Sequence, residues 1–332
     1  MKILITAPDN EIYARYFPDA LVKRLAGIGD VIKNPLGRSF TAQELRENVK
    51  DADILLTHWG TPKIDERVLD CAPKLRLVAH AAGSVANIAG ETLFDRDIPV
   101  LSANPVMAKY VAESVLGYMI AGTHRFVQTD AILRAGGWDK KEALQSSLFG
   151  AEIGLVGLGT VGRNLLDLLA PFHCKVSVFD PYLSEDAVAK WGFAERCDLE
   201  TAMRKPIVSV HASKTPETYH MIGAKALALL PEGAVLINSA RGSVTDTEAL
   251  LGVLKEKKIY AVLDVYEKEG AGSLSEELLQ LKENTLLQPH AAAVPAGAEM
   301  TRAIVDDIAR FVNGEPLQLR VTRERFRLMT KE

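Results

Sequence analysis

Residues 152–180, EIGLVGLGTVGRNLLDLLAPFHCKVSVFD, constrain this chain more than any other stretch. They read as an apolar strand, a turn with Gly157, Gly159 and Gly162 in GxGxxG spacing, a helical apolar run, and a second strand ending at Asp180. Each glycine meets a separate steric need. Gly157 permits the tight strand-to-helix turn, Gly159 lets backbone approach a pyrophosphate, and Gly162 lets helix pack close to strand, with helix N-terminal amides facing the anion. Asp180 lies 23 residues after Gly157 (180 minus 157), where a carboxylate can accept hydrogen bonds from an adenosine ribose. A carboxylate there repels a 2'-phosphate, and Pro181, Tyr182, Leu183 and Ser184 bring no arginine to receive one. The pattern predicts NAD rather than NADP.

The loop sits in mid-chain, and the rest of the sequence shares its rhythm. Apolar runs of strand type recur at 2–6, 54–57, 75–79 and 98–101 before it, and at 207–211, 234–239, 260–264 and 285–288 after it. Most are separated by helix-length sequence, which predicts a parallel α/β fold. About 150 residues precede the loop without a second glycine fingerprint, so a separate domain comes first. At 332 residues and 48% hydrophobic, the chain can bury two sizeable cores. A formal net charge of -4 and the absence of a Lys/Arg block argue against a nucleic-acid partner. Apolar stretches stop short of the ~20 residues a membrane span needs, and the N-terminus has no signal-peptide layout. The 3 cysteines, far apart and without a CxxC pair, disfavour a disulfide framework or a structural zinc site. A cytoplasmic protein holding no metal is expected.

Two helices stand out. Residues 105–123 open with a proline and are apolar on nearly every face, the mark of a helix buried in its own fold or in a subunit interface. Residues 296–312 are amphipathic through Met300, Ile304, Ile308 and Phe311, and end at Asn313 and Gly314. The charged tail after them reads as a surface strap.

Reducing a ketone with a nicotinamide requires a hydride donor, an acid for the oxygen, and a grip on the substrate. Candidates follow the cofactor loop. AVLINSARGS is an apolar strand emptying into a turn at Arg241, whose guanidinium can hold a carboxylate bidentately. AVLDVYEKE places Asp264 at a strand mouth, with Glu269 five residues on, and LLQPHAAA puts His290 just after a strand and a proline. Strand ends at the carboxyl edge of a parallel sheet are where α/β sites lie. His211, ending the strand IVSVH, is a candidate cofactor contact. His58, His80, His124, His173 and His220 have no acid partner at a sheet edge and read as structural or surface residues. In the loop THWGTPKID, Trp59 is positioned to select an apolar or aromatic substrate group, or simply to pack between elements. The first domain shows no cluster of basic residues that would seat a phosphate.

The segments GLVGLGTVGR, VFDPY, SVHASKTPETYHMIG, AVLINSARGSVTDTEAL, LDVYEKE and QPHAAA resemble, in order and spacing, the successive motifs of the D-isomer-specific 2-hydroxyacid dehydrogenase family. Upstream, AHAAGSVANI and SANPVMAKYVAESVLGYMI resemble its substrate loop and its Val-Ala-Glu helix. The resemblance implies two Rossmann-like domains. A nucleotide-binding domain at 103–296 would be inserted into a discontinuous, flavodoxin-like substrate domain made of 1–102 and 297–332, with the cleft between the two. It implies that His290 is the acid that protonates the keto oxygen, that Glu269 orients its imidazole and favours its charged form, and that Arg241 holds the carboxylate. Asp264 would bind the nicotinamide carboxamide. Thr160, Val161, Pro181, Ala212, Thr215 and Ala240 would join the cofactor contacts, and backbone amides of Gly83, Ser84 and Val85 would help hold the substrate. The helix 105–123 would belong to a homodimer interface.

The chain departs from the family pattern at three places. Glu269 is followed by Gly270 rather than proline, the substrate loop AAGSVANI lacks a second glycine and an aspartate, and Ala291 to Ala293 replace a glycine pair after His290. The implied activity is NAD-linked hydride transfer on a small 2-oxo or 2-hydroxy acid, D-isomer specific. Two other functions fit the same frame: an NAD-responsive scaffold or co-regulator protein, and a formate- or phosphite-type dehydrogenase.

Overall fold

The computed structural model describes residues 1–138, 146–256 and 259–329, which form two compact units. One comprises Met1–Ala108 with Val294–Glu332, the other Lys109–Ala293.

The first unit is built on β1 (Lys2–Pro8), β2 (Asp30–Asn34), β3 (Ile54–Thr57), β4 (Leu77–His80) and β5 (Val100–Ser102). All pair in parallel, in the order β2-β1-β3-β4-β5. That is the flavodoxin-like order, and it reverses direction between β1 and β3. β3 and β4 are buried at every position, as strands covered on both faces must be. The helix Gly297–Asn313 lies in this unit and buries Met300, Ile304, Val305 and Ile308 completely. Each such side chain stabilises the packed state by roughly 1.5–3 kcal/mol. The helix stops at Gly314, whose φ of 71° is the left-handed cap that glycine adopts without steric cost.

The tail does act as a strap. Buried Asp307 accepts from the amides of Gln318 (3.0 Å) and Leu319 (2.7 Å), and the chain then bonds to β5 through Val321 N to Val100 O. Phe326 anchors the last turn in the core, while Arg323 and Arg327 pair with Asp95 and Glu91.

The second unit holds β6 (Glu152–Val156), β7 (Lys175–Phe179), β8 (Ala194–Arg196), β9 (Ile207–Val210), β10 (Val235–Asn238), β11 (Tyr260–Leu263) and β12 (Thr285–Leu287). They form a parallel sheet ordered β12-β11-β10-β9-β6-β7-β8, a doubly wound arrangement that reverses between β6 and β9. The long helix Asn104–His124 turns Ala112, Val115 and Met119 inward, and leaves Tyr110, Leu116 and Ile120 only partly covered. No helix among the described residues is long and apolar enough to cross a membrane.

Two strands, β2 and β8, escape a reading of apolar runs. Both are sheet edges, and their sequences DVIKN and AER carry mostly polar, partly exposed residues. An edge strand keeps one side in water and needs no continuous apolar run.

Candidate active site

The glycine turn follows β6 at the point where the second sheet reverses. Gly157 has φ +97°, and a Cβ there would stand 2.8 Å from the amide nitrogen of Ala212. The loop after β9 therefore lies directly against the turn, and only glycine allows it. A Cβ on Gly162 would be 3.0 Å from Gly157 O, the close helix-to-strand approach expected of the third glycine. Nothing lies within 4 Å of the Cβ position on Gly159, so the approach to its backbone is open. Gly159 is the N-cap of the helix Thr160–Leu169, whose first-turn amides face out of its N-terminal end. Asp180 accepts from Leu158 N (2.9 Å) and Tyr182 N (3.0 Å), which ties the acid to the glycine turn. These features fit NAD: a dipole-terminated cradle for pyrophosphate beside a carboxylate for ribose.

His211, Ala212 and Thr215 occupy the stretch after β9, and Pro181 is exposed beyond β7. The His211 ring meets Ser209 Oγ through Nε2 at 2.9 Å, and burial pushes it down to about 4. It is neutral at neutral pH.

Arg241 leaves β10 in a turn organised by buried Asn238. The Asn238 side chain accepts from Ala240 N (3.0 Å) and donates to Arg241 O and to Thr245 Oγ1, both at 3.2 Å. The guanidinium is half-buried and donates to Ala240 O at 2.7 Å. The turn then presses on the loop carrying Glu269, at Gly242 against Tyr266. That loop is also fastened by Glu267, which accepts from Thr247 N (3.2 Å) and Thr247 Oγ1 (2.8 Å) at the start of the helix Thr247–Glu256.

Glu267 also meets His220 Nε2 at 3.2 Å, and Asp246 stands 3.7 Å from His220 Nδ1. The expectation that His220 has no acid partner is corrected. Its partners are 26 and 47 residues away in sequence (246 minus 220, 267 minus 220), and only the strand-end loops bring them together.

Glu269 Oε2 lies 2.8 Å from His290 Nδ1, and Glu269 Oε1 accepts from Tyr266 N at 3.3 Å. His290 itself has φ +54°. A non-glycine residue in the left-handed region costs roughly 1–2 kcal/mol, so something must hold it there. Asp264, 1% exposed, does so by accepting from Ala291 N (2.8 Å), Ala292 N (3.1 Å) and Tyr118 Oη (3.3 Å). Burial raises the Asp264 carboxyl above its ordinary value, while these donors pull it back. Burial and the Asp264 charge push the Tyr118 hydroxyl upward. Asp264 thus braces the turn that presents His290. Asn238 and Tyr118 left no signal in the sequence, because one is a polar strand end and the other a single tyrosine on an apolar helix.

Arg241, Asp264, Glu269 and His290 all belong to the second unit, and Trp59, Gly83, Ser84 and Val85 to the first. Trp59 is 44% exposed, whereas the Val85 side chain lies in the core, leaving only its backbone to meet a ligand. A Cβ on Gly83 would overlap the end of the Met107 side chain. No group of three or more His, Cys, Asp or Glu among the described residues is placed to hold a metal ion.

A glycine cradle with a carboxylate at the end of the next strand, and a histidine–glutamate pair in the same unit as an arginine turn, fit an NAD-linked α/β oxidoreductase. The sequence signature of "D-isomer specific 2-hydroxyacid dehydrogenase, NAD binding domain" matches residues 116–292. The chain is 36% identical over 282 residues to glyoxylate reductase of Thermococcus litoralis, covering 82% of this chain and 84% of that one. It is 32% identical over 319 residues to D-3-phosphoglycerate dehydrogenase of Methanocaldococcus jannaschii, covering 95% of this chain but 58% of that longer protein. Its fold superposes on the solved PH0520 protein of Pyrococcus horikoshii OT3 with a TM-score of 0.79 at 24% identity, over 98% and 96% of the two chains. The chain belongs to the D-isomer-specific 2-hydroxyacid dehydrogenase family, NAD-dependent oxidoreductases that exchange a hydride between nicotinamide and a 2-oxo or 2-hydroxy acid.

Proposed function

We propose that Arg241, Glu269 and His290 of this chain carry out the reversible, D-specific reduction of a small 2-oxo acid, and that the observation carrying this reading is the 2.8 Å contact between His290 and Glu269. Gly157, Gly159, Gly162 and Asp180 hold the cofactor in the second unit, and the first unit serves as the substrate domain. When bound, the nicotinamide supplies the hydride. Arg241 grips the carboxylate and polarises the carbonyl, because a planar guanidinium matches a carboxylate with two parallel hydrogen bonds. Glu269 occupies His290 Nδ1, which leaves Nε2 as the ring nitrogen that delivers a proton to the substrate oxygen and retrieves it in reverse. Backbone amides at Gly83, Ser84 and Val85 complete the hold on the carboxylate.

A homodimer fits the same reading. The helix Asn104–His124 keeps a partly uncovered apolar face, and Phe126 and Leu133 just after it are each 53% exposed. A second copy covering them would remove that apolar surface from water. The three free cysteines, Cys71, Cys174 and Cys197, suit a reducing cytoplasm.

The test is NADH absorbance with the purified protein against glyoxylate, pyruvate, hydroxypyruvate, phenylpyruvate, branched 2-oxo acids and phosphohydroxypyruvate. Oxidation with at least one is expected. In His290→Ala turnover should fall by roughly 10²–10⁴, the usual worth of a general acid, with NADH binding nearly intact. Comparable turnover in that variant would remove His290 from its role.

A further inference from the structure

In the second unit three loops leave the carboxyl ends of neighbouring strands: 211–222 after β9, 239–246 after β10 and 264–270 after β11. The last two carry Arg241 and Glu269. The first carries neither of these groups, yet it is tied to both loops. Its backbone joins the Arg241 loop, with His220 N donating to Ser243 O at 2.8 Å and Ile222 N to Val244 O at 3.0 Å. Its His220 side chain reaches both, with Nε2 3.2 Å from Glu267 Oε1 and Nδ1 3.7 Å from Asp246 Oδ2. One imidazole therefore stands between a carboxylate of each loop.

The ring is held in that place. His220 has φ +51°, a left-handed conformation that side chains rarely adopt and that persists only where surrounding contacts fix it. Tyr219 lies flat against the imidazole, 4.0 Å between centroids at 13°. Both acids are anchored as well. Glu267 Oε1 accepts from Thr247 N and Thr247 Oγ1, and Asp246 Oδ1 accepts from Ala249 N at 3.0 Å. Burial works against the charge on Glu267, but the Thr247 and His220 contacts hold its carboxyl below the ordinary value. Among the described residues, these two carboxylates are the charged groups within ion-pair distance of the ring, one from each packed loop.

We infer that His220 is a positioning residue whose protonated ring draws the Arg241 loop and the Glu269 loop together, and so sets the spacing between the group that grips the carboxylate and the pair that delivers the proton. The inference rests on the reaction proposed above. A proton decides how many of the contacts attract. Histidinium donates from both nitrogens, whereas the neutral ring donates from one and turns a lone pair toward the other carboxylate. Histidine is the side chain that gains and loses this charge within roughly pH 5–8. With the proton, two anions on separate loops share one cation; without it, one contact turns repulsive. The lever is short, since Glu269 is two residues from Glu267 and Arg241 five from Asp246 (269 minus 267, 246 minus 241).

The test is the pH profile of kcat and KM, from about pH 5.5 to about pH 9, for wild type, His220→Asn and His220→Gln with whichever 2-oxo acid named above turns over best. Asparagine tolerates the left-handed backbone, glutamine keeps more of the reach, and neither takes up a proton in this range. A fluorescence titration of NADH establishes that each variant is folded. The alkaline loss due to His290 is common to all three proteins and cancels in the ratio of wild type to variant. That ratio of kcat should be about three to ten at the acid end, a modest effect because ring and acids are about one-third exposed, and should fall toward one at the alkaline end. The wild-type alkaline limb should need two ionisations and that of each variant one. A ratio that is flat across pH, or that rises with it, or a wild-type limb described by one ionisation, overturns the inference and leaves the reaction standing. Silence of the wild type with every 2-oxo acid, while NADH still binds, overturns the reaction and the inference together.

Discussion

A Cβ on Gly242 would overlap the carbonyl carbon of Tyr266, well inside van der Waals contact. The turn that carries Arg241 and the loop that carries Glu269 are therefore backbone against backbone, and the glycine of the Arg-Gly pair sets their spacing. In Gly242→Ala the two loops must part, since the obstructing atoms are main chain. Displacements of ~1 Å at a reacting centre cost about 10²-fold, so kcat/KM should fall by that order, with NADH affinity held within a few-fold. Steady-state kinetics and a fluorescence titration of NADH read both quantities, and wild-type kinetics in the variant would show that the contact does not govern the site.

Asp180 does two jobs that substitution can separate. Its carboxylate accepts from Leu158 N and Tyr182 N, and its charge disfavours a 2'-phosphate. Asp180→Ala should raise KM for NADH about tenfold and narrow the preference over NADPH, because acceptor and charge both go. Asp180→Asn retains an acceptor oxygen and removes the charge, so its larger effect should be on NADPH, whose KM should drop. An unchanged NADH to NADPH ratio in both variants would show that another group selects the cofactor.

The first unit buries two histidines that resist protonation. His58, 2% exposed, is lowered to about 4 by burial, and His80, 1% exposed, to about 3 by burial and by the neighbouring His58. Unfolded histidine takes a proton near pH 6.5, so between that pH and about 4 the unfolded chain binds more protons than the folded one. Stability is present above pH 6.5 and is lost as pH falls, at roughly 1.4 kcal/mol per pH unit for each such group. The melting temperature should drop between pH 7 and pH 5, and less steeply in His80→Gln. A midpoint that stays level over that interval would mean that water reaches these rings.

Much of this was legible from residues near one another in the chain. The glycine turn, its helix and Asp180 form one continuous unit, and their requirements for tight turn, close approach and terminal acid are local. The buried strands announce themselves as apolar runs because both faces of a parallel sheet are covered. β2 and β8 do not, since an edge strand is excused from that demand. Other partnerships are invisible in the sequence because they join residues far apart. Arg15 and Arg38, separated by 23 positions (38 minus 15), show no basic cluster in the sequence yet line one cavity. His220 meets Glu267, and Tyr118 meets Asp264 across 146 residues (264 minus 118).

Sequence by itself determined the elements, the doubly wound class and the chemical types available at the strand ends, since propensity, periodicity and glycine sterics act over a few residues. Tertiary structure alone decided which strand ends face one another. Sheet order is set by burying many strands at once, and that order brings the Arg241 turn against the Glu269 loop and opens a crevice between β1 and β3. No run of neighbouring residues carries that information, because it resides in the packing of the whole sheet.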